Sequence, residues 1–221
     1  MPLFETPAAS LAHYNRIGLH YNLVADSVYK KLMELKNPFD PQFEPYLIAA
    51  LLSFDMGAKM GASPFDRFAS RLRRGLSEIK EILNPIIHAS LKDVDLEEIG
   101  PAVISVYDVL ARSGENRMAE RDQKFHVGAT KVLHFMNPAL FLIVDSNVRT
   151  VLRQQFGIPY SSTTQPGYTS GRYLEALKRV KAAITVYGFD RLLALEPETP
   201  ALRIFDKIAF VNGGGRPDQG N

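Results

Sequence analysis

A chain of 221 residues with 46% hydrophobic and 23% charged residues has the composition of a globular protein able to bury a full core, not of a disordered one. It contains no cysteine, which excludes disulfides, cysteine-ligated zinc, iron–sulfur clusters and thiol nucleophiles. The net charge of +2 is nearly neutral, so any nucleic-acid contact has to come from a local basic patch. Met1 to Ser10 has no basic start leading into an apolar stretch, and the longest apolar run, Tyr46 to Leu52, is far too short to span a bilayer. Cytoplasmic residence, without a membrane partner, is the expectation.

Helical periodicity dominates the chain. Tyr14, Ile17, Tyr21, Val24, Val28 and Leu32 recur every three or four residues and predict a helix over Leu11 to Leu35, stopping before Pro38. A second, apolar nearly all round, is expected from Pro45 to about Met60. A third extends from Phe65 to Leu83, beyond the breaks at Gly57, Gly61 and Pro64, and Ile86 to Leu91 adds a short turn. On the third helix Arg67, Arg71 and Arg74 form a stripe that could hold phosphates, although Glu78 and Glu81 continue it as an ordinary solvated face. Pro101 suits the first turn of a fourth helix running to Arg112. After a polar loop, Ser113 to Gln123, the pattern predicts a helix from Lys124 to Met136, a short extended piece at Phe141 to Val144, and a helix from Asp145 to Gly157 with Val148, Val151, Leu152 and Phe156 inward. Ser170 is the expected cap of a helix reaching Tyr187, and short helices are expected near Phe189 to Leu195 and Ala201 to Val211. The fold class is therefore all-α: one helical domain over residues 1–212, two-lobed, with a disordered tail at 213–221.

Chemistry concentrates in the segment KFHVGATKVLHFMNPALFLIVDSNVRTVLRQQFG, residues 124–157. Lys131 lies early in a helix that begins near a Val-Gly turn, and Asp145 stands at the start of the next helix after an apolar run. Lys124, Lys131, Arg149 and Arg153 against the single Asp145 give this stretch a local charge of +3. The arrangement resembles the helix–hairpin–helix DNA glycosylases of the 8-oxoguanine type, with the glycosylase-like unit around residues 101–157. The resemblance implies a bundle with a DNA-binding cleft, a DNA partner, and no metal or other cofactor. It implies Lys131 as the nucleophile that attacks the sugar C1′ and forms a Schiff base, and Asp145 as the carboxylate that stabilises the transition state. Val127, Gly128 and Ala129 would offer backbone N–H groups to a phosphate, with Arg149 and Arg153 as further DNA contacts. Three features depart from the family pattern. His126 stands where the hairpin has its first glycine, an extra residue precedes Lys131, and the fourteen residues from Lys131 to Asp145 are short by about one helical turn.

The residue types suit the chemistry. An amine attacks only when unprotonated, a state favoured by desolvation or a nearby cation, and His134, three residues from Lys131 on one helix face, could modulate it. A carboxylate at a helix start is favoured as the anion, which suits an oxocarbenium-like transition state. Each residue also has a structural reading: a helix lysine is ordinarily solvated, and Asp145 is a good N-cap. His126 and His134 lack a third partner for a metal. Tyr160 and Tyr168 could stack on an extruded base, but covering the edge of the core is the preferred reading. The rival to a glycosylase is a non-catalytic helical module that binds DNA or protein on the same scaffold.

Overall fold

The computed structural model describes residues 3–17, 19–35, 37–53, 65–113, 125–160 and 167–214. Among these, the chain is all-helical, with no strand. In order come α1 (Pro7–Ile17), α2 (Leu19–Glu34), α3 (Phe43–Leu51), α4 (Phe65–Leu83), a 3-10 turn at Asn84–Ile86, α5 (Gly100–Ser113), α6 (His126–Met136), α7 (Ser146–Phe156), α8 (Ser170–Tyr187), α9 (Phe189–Leu193) and α10 (Ala201–Asn212). The helix expected over Leu11 to Leu35 begins earlier, at Pro7, and the chain is helical over Pro7–Ile17 and Leu19–Glu34, on either side of residue 18, which lies outside the described residues. The helix expected from Pro45 starts at Phe43, and its proposed continuation through residues 54–60 lies outside the described residues, as do the stretch 114–123 and the tail from 215.

The packing obeys the apolar stripes. Leu72, Leu76, Ile79 and Leu83 make one buried face of α4, which lies along α5, while Arg73, Arg74 and Lys80 face solvent. α5 also contacts α6 and α8; α7 packs on α10, and α10 on α1 and α9. One continuous set of buried apolar side chains runs from Leu3 to Ala209. Its centre is α6, which touches α2, α3 and α5 and has every residue from Gly128 to Met136 buried.

The connection between α6 and α7 places the candidate site. Pro138 cannot continue a helix, and Asn137 ends it: the Asn137 side-chain oxygen accepts from Ala139 N at 3.0 Å, and its amide donates to the Ala89 carbonyl at 2.8 Å. The chain then runs buried through Leu140 to Val144, outside any helix and, among the described residues, with no strand beside it. Leu140 N and Phe141 N donate back to the Asn137 carbonyl, and three side chains satisfy further backbone groups. Thr130 Oγ1 accepts from Val144 N at 3.1 Å, His134 Nδ1 donates to the Phe141 carbonyl at 2.7 Å, and Tyr173 Oη donates to the Leu142 carbonyl at 3.0 Å. Two of the three come from α6, so this short connection is fixed against the helix that carries Lys131. α7 starts at Asp145 and ends at Gly157, whose φ of 66° is the left-handed conformation glycine adopts without strain. At α8 the cap is Thr169, whose hydroxyl accepts from Arg172 N; the expected cap, Ser170, bonds Asp108 instead.

Candidate active site

Lys131 is 6% exposed, so the ordinary solvated reading of a helix lysine does not hold here. Its helix is buried on all sides, which leaves the side chain little access to bulk water. Asp145 is half-buried, and its Oδ1 accepts from Asn147 N at 2.9 Å and Val148 N at 3.0 Å, the capping geometry its position predicts. The residues just before the two candidates, Thr130 and Val144, are the pair joined by the 3.1 Å hydrogen bond.

A third element enters from the far end of the chain. Arg203 and Asp206 on α10 are 2% and 5% exposed and form a hydrogen-bonded ion pair. Arg203 also donates to Tyr14 Oη at 3.0 Å, and its guanidinium lies 5.6 Å from the Tyr14 ring and 5.8 Å from the Tyr29 ring. Burial pushes the Asp206 carboxyl up to about 6; Arg203 and Lys131 oppose that shift, and Asp145 adds to it. Lys131 and Asp145 thus act on one buried carboxylate. Periodicity does not reveal this, because a charged residue in a short terminal helix reads as a surface residue. The available signal was that Arg203, Asp206 and Lys207 alternate with Leu202, Ile204, Phe205 and Ile208, leaving α10 no purely polar face.

His134 is neutral. With Nδ1 donating to the Phe141 carbonyl, Nε2 is left to accept, and Tyr29 Oη lies 3.4 Å away to donate to it. Burial holds the ring's pKa down to about 3, with Arg203 lowering it further against the pull of the Phe141 carbonyl. His134 is therefore no cation beside Lys131; it orients the connection that ends at Asp145.

The residues assigned to a DNA backbone lie in and after the first turn of α6. Val127, Gly128 and Ala129 are helical, not a hairpin, and Ala129 N already donates to the Phe125 carbonyl at 2.8 Å. That bond withdraws Ala129 from phosphate binding. At Gly128 a Cβ would fall 2.0 Å from the Phe125 ring, so the glycine makes room for that ring. Arg149 lies 5.6 Å from the Tyr168 ring, and Arg153 is exposed. Lys124 is outside the described residues.

Beside this site runs a ladder of rings. Tyr173 stacks on Tyr107 at 4.9 Å, Tyr107 on His126 at 5.9 Å, and His126 on Tyr168 at 5.7 Å, with Tyr160 tilted against Tyr168. Tyr160 is 2% exposed, in keeping with its reading as core; Tyr168 is half-buried. Burial raises the pKa of Tyr107, Tyr160, Tyr168 and Tyr173.

Among the described residues there is no cluster of three or more His, Cys, Asp or Glu side chains able to hold a metal, and no helix is long and apolar enough to cross a membrane. Compared with protein-family models, curated proteins and solved structures, the chain matches none of them.

Proposed function

We propose that this protein is a DNA base-excision glycosylase with abasic-site lyase activity, related to the helix–hairpin–helix type. The observation that carries the reading is a lysine buried in the core, Lys131, whose preceding residue, Thr130, is hydrogen-bonded to the residue before Asp145. Lysine is almost never buried without a partner or a use, and perturbed charges gathered in one place mark candidate active sites. In this reading Lys131 Nζ attacks C1′ of a damaged nucleotide and the glycosidic bond breaks. Asp145, fixed by its two backbone N–H donors, stabilises the positive charge that develops on the sugar. The resulting Schiff base permits β-elimination and strand scission.

A second reading has its own support. Arg203 and Asp206 pair with each other, and Arg149 lies over Tyr168, so much of the charge is already balanced within the protein. A non-catalytic helical module, binding DNA or a protein partner, would use the cluster for structure alone.

Borohydride trapping separates the two. Duplex DNA with an abasic site or 8-oxoguanine is incubated with wild type and with Lys131→Gln. The glycosylase reading expects a covalent adduct in the first and none in the second. Absence of both adduct and DNA binding in wild type removes the enzyme.

A further inference from the structure

Two histidines of α6 each meet a tyrosine hydroxyl, and the two pairs differ in what the base can do. His126 Nδ1 lies 3.1 Å from Tyr107 Oη, and His134 Nε2 lies 3.4 Å from Tyr29 Oη. A phenol that loses an electron becomes a strong acid, so a buried tyrosine is oxidised readily only where a base within hydrogen-bond reach takes its proton. His134 is a poor base, being wholly buried with Arg203 against the neighbouring Tyr29 ring at 5.8 Å, and both disfavour its cation. His126 is half-buried, so its imidazolium would keep part of its hydration. Tyr107 is 1% exposed, and burial disfavours its phenolate. Tyr173 is as buried as Tyr107 and stacks on it at 4.9 Å, but its hydroxyl donates to the Leu142 carbonyl at 3.0 Å. An amide oxygen accepts that hydrogen bond without taking the proton over. Tyr168, at the outer end of the ladder, lies against the Arg149 guanidinium, which has no acceptor.

We propose that Tyr107 and His126 form a one-electron redox site, reached through the stacked rings of Tyr168 and His126, that quenches diffusible one-electron oxidants of the oxyl-radical class. Ring contacts of 5.7 Å and 5.9 Å lead from the half-buried Tyr168 across His126 to Tyr107, short enough for an electron to cross without a further carrier. In the step, one electron leaves the Tyr107 ring and reduces the oxidant by one. The Tyr107 O–H bond breaks and an N–H bond forms at His126 Nδ1. Neutral phenol and neutral imidazole become a neutral tyrosyl radical and an imidazolium, and the positive charge gained by the pair balances the electron lost. One electron from a small reductant of the ascorbate class, with the proton returning from His126, restores the starting state. The site depends neither on Lys131 nor on the glycosylase reading.

The test is photo-oxidation of the full-length chain by a ruthenium(III) polypyridyl complex generated with a light flash, read by electron paramagnetic resonance of freeze-trapped samples and by the rate at which the radical appears. Wild type is expected to give a long-lived neutral tyrosyl radical. Tyr107→Phe keeps the ring and removes the hydroxyl, and is expected to lose that signal, whereas Tyr173→Phe and Tyr29→Phe are expected to retain it. His126→Gln replaces the base by an amide and is expected to slow radical formation about 100-fold. If Tyr107→Phe does not fold, His126→Gln and the two other tyrosine variants still locate the radical and its proton acceptor. A wild type without a long-lived radical overturns the proposal, as does a signal that survives Tyr107→Phe or is lost in Tyr173→Phe or Tyr29→Phe. An unchanged rate in His126→Gln overturns it as well.

Discussion

Helix α6 carries two histidines, each stacked beside a tyrosine, and the two neighbourhoods handle burial in opposite ways. Around His134 the core accepts charge: Arg203, Asp206 and Lys131 are all less than a tenth exposed. Around His126 it is built of rings, Tyr107 and Tyr173 with Tyr168 beyond, tied by a 3.1 Å contact between Tyr107 Oη and His126 Nδ1, and the Arg149 guanidinium lies at the outer ring, Tyr168. A charged cluster depends on every partner, because losing one strands the other in a medium that cannot solvate it. A ladder of rings loses only a hydrogen bond or a stacking contact when one member changes. Sensitivity to substitution and to acid should therefore concentrate at the His134 end of the helix.

The largest expected effect breaks the charged side. Arg203→Met leaves Asp206 without its ion-pair partner and is expected to lower unfolding stability by about 3–5 kcal/mol in urea titrations. Adding Asp206→Leu should restore most of that loss, since an apolar pair no longer has charge to solvate. In the ladder, Tyr107→Phe is expected to lose only about 1 kcal/mol. Equal losses in the two regions would erase the distinction.

The acid response comes next. The native ring of His134 binds a proton only near pH 3, while the unfolded chain binds it near the ordinary value of 6.5. Below about pH 6.5 the unfolded state therefore holds more protons, and stability falls with pH by up to about 1.4 kcal/mol per unit from this group. Asp206 acts in the opposite sense: its native carboxyl, pushed up to about 6, takes up a proton before the unfolded one does near 3.8, so acid favours the native state there. Comparing wild type with His134→Asn isolates the first effect. Set against the wild type's, the variant's stability should rise steadily as pH drops from 6.5 to 4, and parallel curves would mean that His134 is not held neutral. The ladder governs the alkaline side. Its tyrosines resist ionisation when folded, so stability should fall above pH 10, and less steeply in Tyr107→Phe.

Smaller effects test the connection between the candidate residues. Thr130→Val keeps the shape and removes the acceptor for Val144 N, and a stability loss of about 1–3 kcal/mol is expected. Asp145→Ala removes the cap of α7, with an expected loss of about 1 kcal/mol in the same titration and, on the glycosylase reading, loss of adduct formation.

The features legible in the chain were local. Asp145 as a cap, the stop at Pro138, Gly157 at the end of α7 and the stripe of Val148, Val151 and Leu152 all depend on neighbours within a turn or two, and each stands where expected. The all-helical class comes from the same periodicity. The environment of Lys131 was not legible because it is set by distant residues, on the three helices α2, α3 and α5 that pack against α6. The Phe141 to Val144 piece was visible as an apolar run. Its dependence on Thr130, His134 and Tyr173 was not, since no spacing rule links a side chain to a backbone group it meets only after folding. At Gly128 the sequence suggested a phosphate cradle; that its missing side chain makes room for the Phe125 ring was not legible, because the ring meets it only after folding.

The most direct test of the site is to map the borohydride-reduced adduct by mass spectrometry after proteolysis of the DNA-linked protein. If Lys131, buried on α6, is the nucleophile, the sugar remnant sits on Lys131 alone. A remnant on another lysine, or spread over several, would contradict the account.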